Sequence, residues 1–122
     1  MPPLPQIQGL RALGRLAAQQ VRRAIAAYRD NDADAALELR EDDARLDAQY
    51  TALFRELLTY MMEDPRNITY CAHLLFCAKN IERVGDHTTN IAETIHFFVR
   101  GVTISDDRPK GDDTSSTLFS AS

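Results

Sequence analysis

Carboxylates recur at helical spacing in the stretch KNIERVGDHTTNIAE, residues 79–93. With an advance of about 100° per residue, Asp86 lies about 40° and Glu93 about 20° from Glu82 around the helix axis. Asn90 follows on the same flank, at about 80° from the same origin. One flank of a single helix therefore carries four side chains whose oxygen atoms could hold a cation.

A second acidic pair, Asp43 and Asp47, lies one helical turn apart on the preceding segment. Pro65 disfavours helical geometry at Asp64 and suits the first position of a new helix, so we expect the chain to turn there. If the two helices fold back about the Asp64–Pro65 junction, residues equally far from it lie level with each other. Asp43 is then level with Asp86, and Asp47 with Glu82.

Two interpretations of these acids stay open on spacing alone. Carboxylates gathered at one height repel one another, and a hard cation such as iron, manganese, magnesium or calcium would offset that repulsion. Alternatively, the acids form an ordinary solvated face that is screened by Lys79 or Arg83. Asp43 falls on an apolar seam, where a carboxylate is costly unless it is paired or ligating, and this supports the metal interpretation.

Three segments with apolar residues at alternating steps of three and four must position these acids. The predicted fold is all-α, an antiparallel three-helix bundle over residues 1–101, with long helices at about 5–30, 33–63 and 66–100. Residues 102–122 lack periodicity and are predicted to form a flexible, disordered tail. The predicted seam of the first helix is Ile7, Leu10, Gly14, Ala17, Val21, Ala24 and Tyr28.

Composition limits the function. The 122 residues suffice for one domain, and 44% hydrophobic with 26% charged residues is typical of a folded globule. A net charge of -4 argues against general nucleic-acid binding. We expect a cytoplasmic protein, because neither a secretion signal nor an apolar stretch of about 20 residues is found. Cys71 and Cys77 fall on different helix faces, so two buried thiols are expected rather than a disulfide.

Three stretches of the sequence resemble the PhoU family, the cytoplasmic accessory regulators of bacterial phosphate-specific transport. They are REDDARLDAQY, YMMEDPRNI and LLFCAKNIERVGDHTTNIAETI, and the resemblance runs from about residue 7 to residue 101. The most specific element is the string E-R-x-G-D-x-x-x-N-I-x-E, which begins here at Glu82 and ends at Glu93.

The resemblance implies a helical protein of two tandem three-helix repeats, each with an E/D-x-x-x-D motif that binds multinuclear iron or another metal, such as manganese, zinc or magnesium. Asp42 stands where the family often has a further acid. Only one repeat is present, similar to the C-terminal half of a family member, so the chain is either a fragment or a unit that pairs with a second copy. The implied metal ligands are Asp43, Asp47, Glu82, Asp86, Asn90 and Glu93.

The function that the resemblance implies is regulatory. The family links the phosphate ABC transporter to a phosphate-sensing histidine kinase and keeps the phosphate-starvation response off; a homodimer is expected. Neither a nucleophile–base pair nor a glycine-rich phosphate loop is found in the sequence. Two alternatives remain: a di-iron carboxylate enzyme, because Glu93 and His96 form one Glu-x-x-His pair, and a structural bundle without metal.

Overall fold

A computed structural model describes residues 5–102, with side chains from residue 7 onward. Three long helices, α1 (Pro5–Asp30), α2 (Ala33–Glu63) and α3 (Ile68–Arg100), alternate in direction and pack against one another. No strand occurs within residues 5–102. The predicted all-α, antiparallel three-helix bundle is thereby confirmed, whereas residues 103–122 of the predicted tail lie outside the described part of the chain.

Short polar residues close both turns. Asp32 caps α2, since its carboxylate accepts a hydrogen bond from the Ala35 backbone N–H at 3.0 Å. Asp64 accepts from the Arg66 backbone N–H at 2.9 Å and starts a 3-10 turn, Pro65–Asn67. Because of this extra turn, α3 begins at residue 68 rather than at the predicted residue 66.

The apolar core consists of two separate clusters. The first, called here the leucine-rich cluster, consists of Leu13, Ala17, Leu46, Leu53, Leu57, Cys71 and Ala78. The second, called here the alanine-rich cluster, consists of Ala24, Ala27, Ala36, Leu39, Ala92 and Ile95. The two clusters are separated by about two turns on α1 and α2 and by about four turns on α3.

Buried polar side chains fill the space between the two clusters. This polar layer consists of Gln20 on α1, Asp43 on α2, and Thr88 and Thr89 on α3. The threonine hydroxyls donate to backbone carbonyls of their own helix, Thr88 to Val84 at 2.8 Å and Thr89 to Gly85 at 3.1 Å.

Gly85 sets the distance between α2 and α3 at the level of the polar layer. A Cβ atom at this position would overlap the side chain of Leu46, which is fully buried. The absence of a side chain therefore lets α3 approach α2 closely.

Two expectations about burial are wrong in part, because Ala17 and Ala24 of the predicted α1 seam are buried, as is one of the two cysteines. The seam of α1 runs through Leu13, Ala17, Gln20, Ala24 and Ala27, whereas Tyr28 is 72% exposed. The apolar stripe of α1 is rich in alanine and wide, so the helix could pack in more than one rotation about its axis. Packing against α2 and α3 selects the rotation that buries small residues. The cysteines are both free, as expected, but only Cys71 is buried, because Cys77 lies on the outer face of α3.

None of the described helices has the length and apolar character that crossing a membrane requires.

Candidate metal site

Three carboxylates converge on the face formed by α2 and α3. Asp43, Asp47 and Asp86 each place one oxygen within 4.8 Å of the oxygens of the other two. Asp43 is completely buried, and the other two are half-buried. We call these three residues the acidic cluster. The hairpin register predicts Asp43 level with Asp86, and the structure does bring these two acids together.

Local sequence explains the convergence. The i, i+4 spacing places Asp43 and Asp47 on one side of α2, a turn apart. Gly85 directly precedes Asp86, so the close contact of α3 with Leu46 of α2 lies beside this acid. Asp42 points elsewhere: its carboxylate accepts from Arg23 of α1 at 2.7 Å.

Glu82 lies beside the acidic cluster but outside it. Its buried carboxylate accepts a hydrogen bond from Lys79 Nζ at 3.2 Å, and the same ammonium lies 5.5 Å from the centre of the Tyr50 ring. This is the contact that the charged-face interpretation expects of Lys79. The predicted ligand Glu82 is therefore ion-paired in this structure.

Glu93 and Asn90 lie further along α3. Glu93 Oε1 accepts from Arg40 Nε at 3.2 Å, and the Arg40 side chain is only 9% exposed. Asn90 is exposed. Sequence reasoning missed Arg40, although counting outward from the Asp64–Pro65 junction places it level with Thr89, one turn from Glu93.

The Glu-x-x-His pair does not form a joint site in the described structure. Glu93 is paired with Arg40, whereas His96 Nδ1 lies 3.2 Å from the backbone carbonyl of Val102. Neither residue belongs to the acidic cluster, and they face different neighbours.

The donor set of the acidic cluster suits a hard cation. All three side chains offer carboxylate oxygen, the ligand that magnesium, manganese and calcium prefer and that iron accepts. A fully buried carboxylate such as Asp43 requires a compensating positive charge or ligand. Two basic residues of the same two helices, Arg40 and Lys79, form ion pairs with Glu93 and Glu82. The residues present therefore fit a divalent metal ion.

A groove between α1 and α3 contrasts with this acidic face. It has a volume of about 520 Å³, and four of the apolar side chains along it, Ile25, Tyr28, Val84 and Ile91, are exposed. Among the described residues, no carboxylate, lysine or arginine lines it. Its lining residues are Val21, Ala24, Ile25, Tyr28, Val84, His87, Thr88 and Ile91.

Comparisons of sequence point to one family. A family model described as PhoU domain matches residues 10–95. A protein of Xylella fastidiosa (strain 9a5c), named phosphate-specific transport system accessory protein PhoU homolog, is 63% identical over 115 residues, covering 94% of this chain and 49% of that protein. A protein of Rhizobium meliloti (strain 1021) with the same name is 57% identical over 113 residues, covering 93% of this chain and 47% of that protein.

Comparison of structures gives the same result. The crystal structure of PhoU from Pseudomonas aeruginosa resembles this chain with a TM-score of 0.73 and 40% sequence identity. The similarity covers 75% of this chain and 44% of that one. The chain spans about half the length of the curated relatives it matches.

Proposed function

The chain belongs to the PhoU family, and on this basis we propose that it is an accessory protein of phosphate-specific transport. In this role it acts in the cytoplasm, links the phosphate ABC transporter to a phosphate-sensing histidine kinase, and represses the phosphate-starvation response. It works by binding and not by catalysis. The observation that carries the proposal is the 63% identity, over 94% of the chain, with a relative named for that transport system.

The surface of the bundle supports a binding role. The acidic cluster occupies the α2–α3 face, and the apolar groove occupies the α1–α3 face. Exposed apolar surface on a small protein is typical of an interaction site. A bundle with two chemically different faces is suited to engaging more than one protein.

Deletion of the gene in its host tests the regulatory proposal. Phosphate-starvation genes should then be expressed in phosphate-rich medium, and a copy of the gene supplied in trans should repress them again. Transcript levels of a phosphatase or transporter gene under starvation control give the measurement. Unchanged expression in the deletion strain would contradict the regulatory role.

We also propose that the acidic cluster holds a divalent metal ion, iron or manganese first, with zinc and magnesium as weaker choices. The bound ion would supply positive charge to the Asp43, Asp47 and Asp86 carboxylates. Asp43→Asn and Asp86→Asn should then lower bound metal to a similar extent, although the two acids lie on different helices. Elemental analysis of the purified variants measures this.

Glu38→Gln is the matched control, because Glu38 is an exposed acid on α2 outside the cluster. It should keep the metal content of the wild type. If both aspartate variants also keep it, and both melt at a higher temperature with and without chelator, the acids form a charged face only. Removing a carboxylate from an empty cluster relieves repulsion, so the two interpretations predict opposite changes in stability.

We propose, finally, that the bundle functions as a homodimer, because the groove between α1 and α3 exposes apolar side chains that a second copy could cover. Light scattering coupled to size-exclusion chromatography should give twice the mass of the chain. A monomer at every concentration tested would contradict this.

A further inference from the structure

Gln20 is a polar residue in the interior of the bundle with no evident structural need for its amide. It is 5% exposed, and its Oε1 atom has no hydrogen-bond partner among the described residues. The same helix buries apolar side chains one turn before and one turn after it, at Ala17 and Ala24. A buried amide oxygen without a partner lowers stability, so an apolar residue would be the stabilising choice at this position.

The bundle register places Gln20 level with the acidic cluster. Residues equally far from the Asn31–Asp32 turn on α1 and α2 lie level, and this sets Gln20 opposite Asp43. Counting from the other turn sets Asp43 opposite Asp86. One residue of each helix therefore lies at the same height in the bundle. This height is that of the polar layer between the two apolar clusters.

The direction of the side chain agrees with the register. Gln20 Oε1 lies 3.4 Å from the point where a Cβ of Gly85 would be, next to Leu46. Gly85 directly precedes Asp86, and Leu46 lies between Asp43 and Asp47 in sequence. The amide oxygen thus lies in the core beside Gly85, which is the sequence neighbour of Asp86 in the acidic cluster.

An amide oxygen in this position is a suitable ligand for a hard divalent cation. Hard divalent cations accept amide carbonyl oxygens together with carboxylates, and a buried oxygen near a carboxylate cluster adds a neutral donor where a fourth charge would increase repulsion. Such oxygen-only surroundings favour manganese, magnesium or iron(II) over the sulfur- and nitrogen-bound metals.

We propose that Gln20 is a further residue of the metal site, which supplies its amide oxygen to the core side of a divalent cation bound by the acidic cluster. The inference rests on the metal proposal above. It assigns a role to α1, which contributes no acid to the cluster, and it makes the site a property of all three helices rather than of the α2–α3 hairpin alone.

The test measures two quantities in the same variants, the affinity for manganese(II) by titration calorimetry and the thermal midpoint of the metal-free protein. Gln20→Leu should weaken manganese binding about tenfold, the lower end of the effect seen for supporting residues of metal sites. The same variant should melt several degrees higher without metal, because the unpartnered amide is gone. Gln20→Glu should keep the affinity and melt lower without metal, because it restores an oxygen donor but buries a further charge.

The opposite movement of affinity and metal-free stability distinguishes a site residue from a packing residue. Gln19→Leu, an exposed neighbour on α1, is the control and should change neither quantity. If Gln20→Leu melts higher but binds manganese like the wild type, the role assigned to Gln20 is wrong while the acidic cluster stands. If the wild type binds no manganese, the metal proposal fails, and the assignment of Gln20 fails with it.

Discussion

The two apolar clusters are built from different side chains. The leucine-rich cluster lies toward the α2–α3 turn, and four of its seven members are leucines. The alanine-rich cluster lies toward the α1–α2 turn, and four of its six members are alanines. Leucine buries far more apolar area than alanine, so the first cluster supplies most of the hydrophobic stabilisation. Alanine instead allows helix axes to approach closely.

The polar layer lies between these two clusters, and each cluster supports it in a different way. Polar groups such as Asp43 and Gln20 weaken a core locally, and a site made of them needs support from both sides. The leucine-rich cluster supplies stability on one side, and close alanine packing supplies a fixed distance on the other. The proposed cation site would depend on both properties, since its ligands would come from separate helices.

The largest expected effect is on the leucine-rich side. Leu57→Ala should lower the free energy of unfolding by about 2–5 kcal/mol, because Leu57 is fully buried and its loss leaves a cavity. Ala36→Gly in the alanine-rich cluster should cost only about 1 kcal/mol, mainly through helix propensity. Urea unfolding followed by circular dichroism measures both. A larger loss for Ala36→Gly would reverse the assignment of stability to the leucine-rich cluster.

The next effect concerns the close approach beside the polar layer. In Gly85→Ala the new methyl group overlaps Leu46, at a cost of about 1–3 kcal/mol that exceeds the gain of about 1 kcal/mol in helix propensity. Gly14→Ala is the matched control, since the nearest atom to its new Cβ, Ile81 Cδ1, is 4.0 Å away. It should raise stability by about 1 kcal/mol. Equal changes in the urea midpoint of the two variants would show that α2 and α3 do not depend on glycine for their approach.

A smaller effect is expected at the turn beside the alanine-rich cluster. Asp32→Ala removes the carboxylate that accepts from the Ala35 N–H, and should cost about 1 kcal/mol. Asp32→Asn retains an oxygen acceptor and should lose much less. Thermal unfolding of the two variants measures the difference, and equal losses would mean that the charge matters rather than the hydrogen bond.

The smallest effect is expected at the turn beside the leucine-rich cluster. The side chain of Arg66, and then its backbone N–H, donate hydrogen bonds that hold the pKa of Asp64 below its usual 3.8. Because the folded pKa is the lower one, this stabilisation is present above pH 3.8 and is lost as the pH falls through the folded pKa. Asp64→Asn should therefore be slightly less stable than the wild type at pH 7, and the difference should vanish in stronger acid. If the stability difference between Asp64→Asn and the wild type grew on acidification, the lowered pKa of Asp64 in the folded state would be contradicted.

The regular parts of the molecule could be predicted from sequence. The apolar residues of α2 recur at alternating steps of three and four, so only one side of this helix can face the core. Pro65 marks the turn to α3. Together they predict that Asp43 lies level with Asp86, as the structure shows. The facing of α1 could not be predicted, because its many alanines leave its apolar stripe wide. The partners of Glu82 and Glu93 could not be predicted either, since several bases lie within reach and only packing decides that Lys79 and Arg40 are the ones used.

The polar layer also has a consequence for the order of folding. Contacts near each turn close short loops, whereas Gln20, Asp43 and Asp86 come to the same level only when all three helices have docked. The entropy cost of closing a loop grows with its length. The layer is therefore expected to form late, after the transition state for folding. Interactions that form after the transition state slow unfolding and leave the folding rate almost unchanged. A cation held at this level would accordingly prolong the lifetime of the folded bundle without guiding its formation.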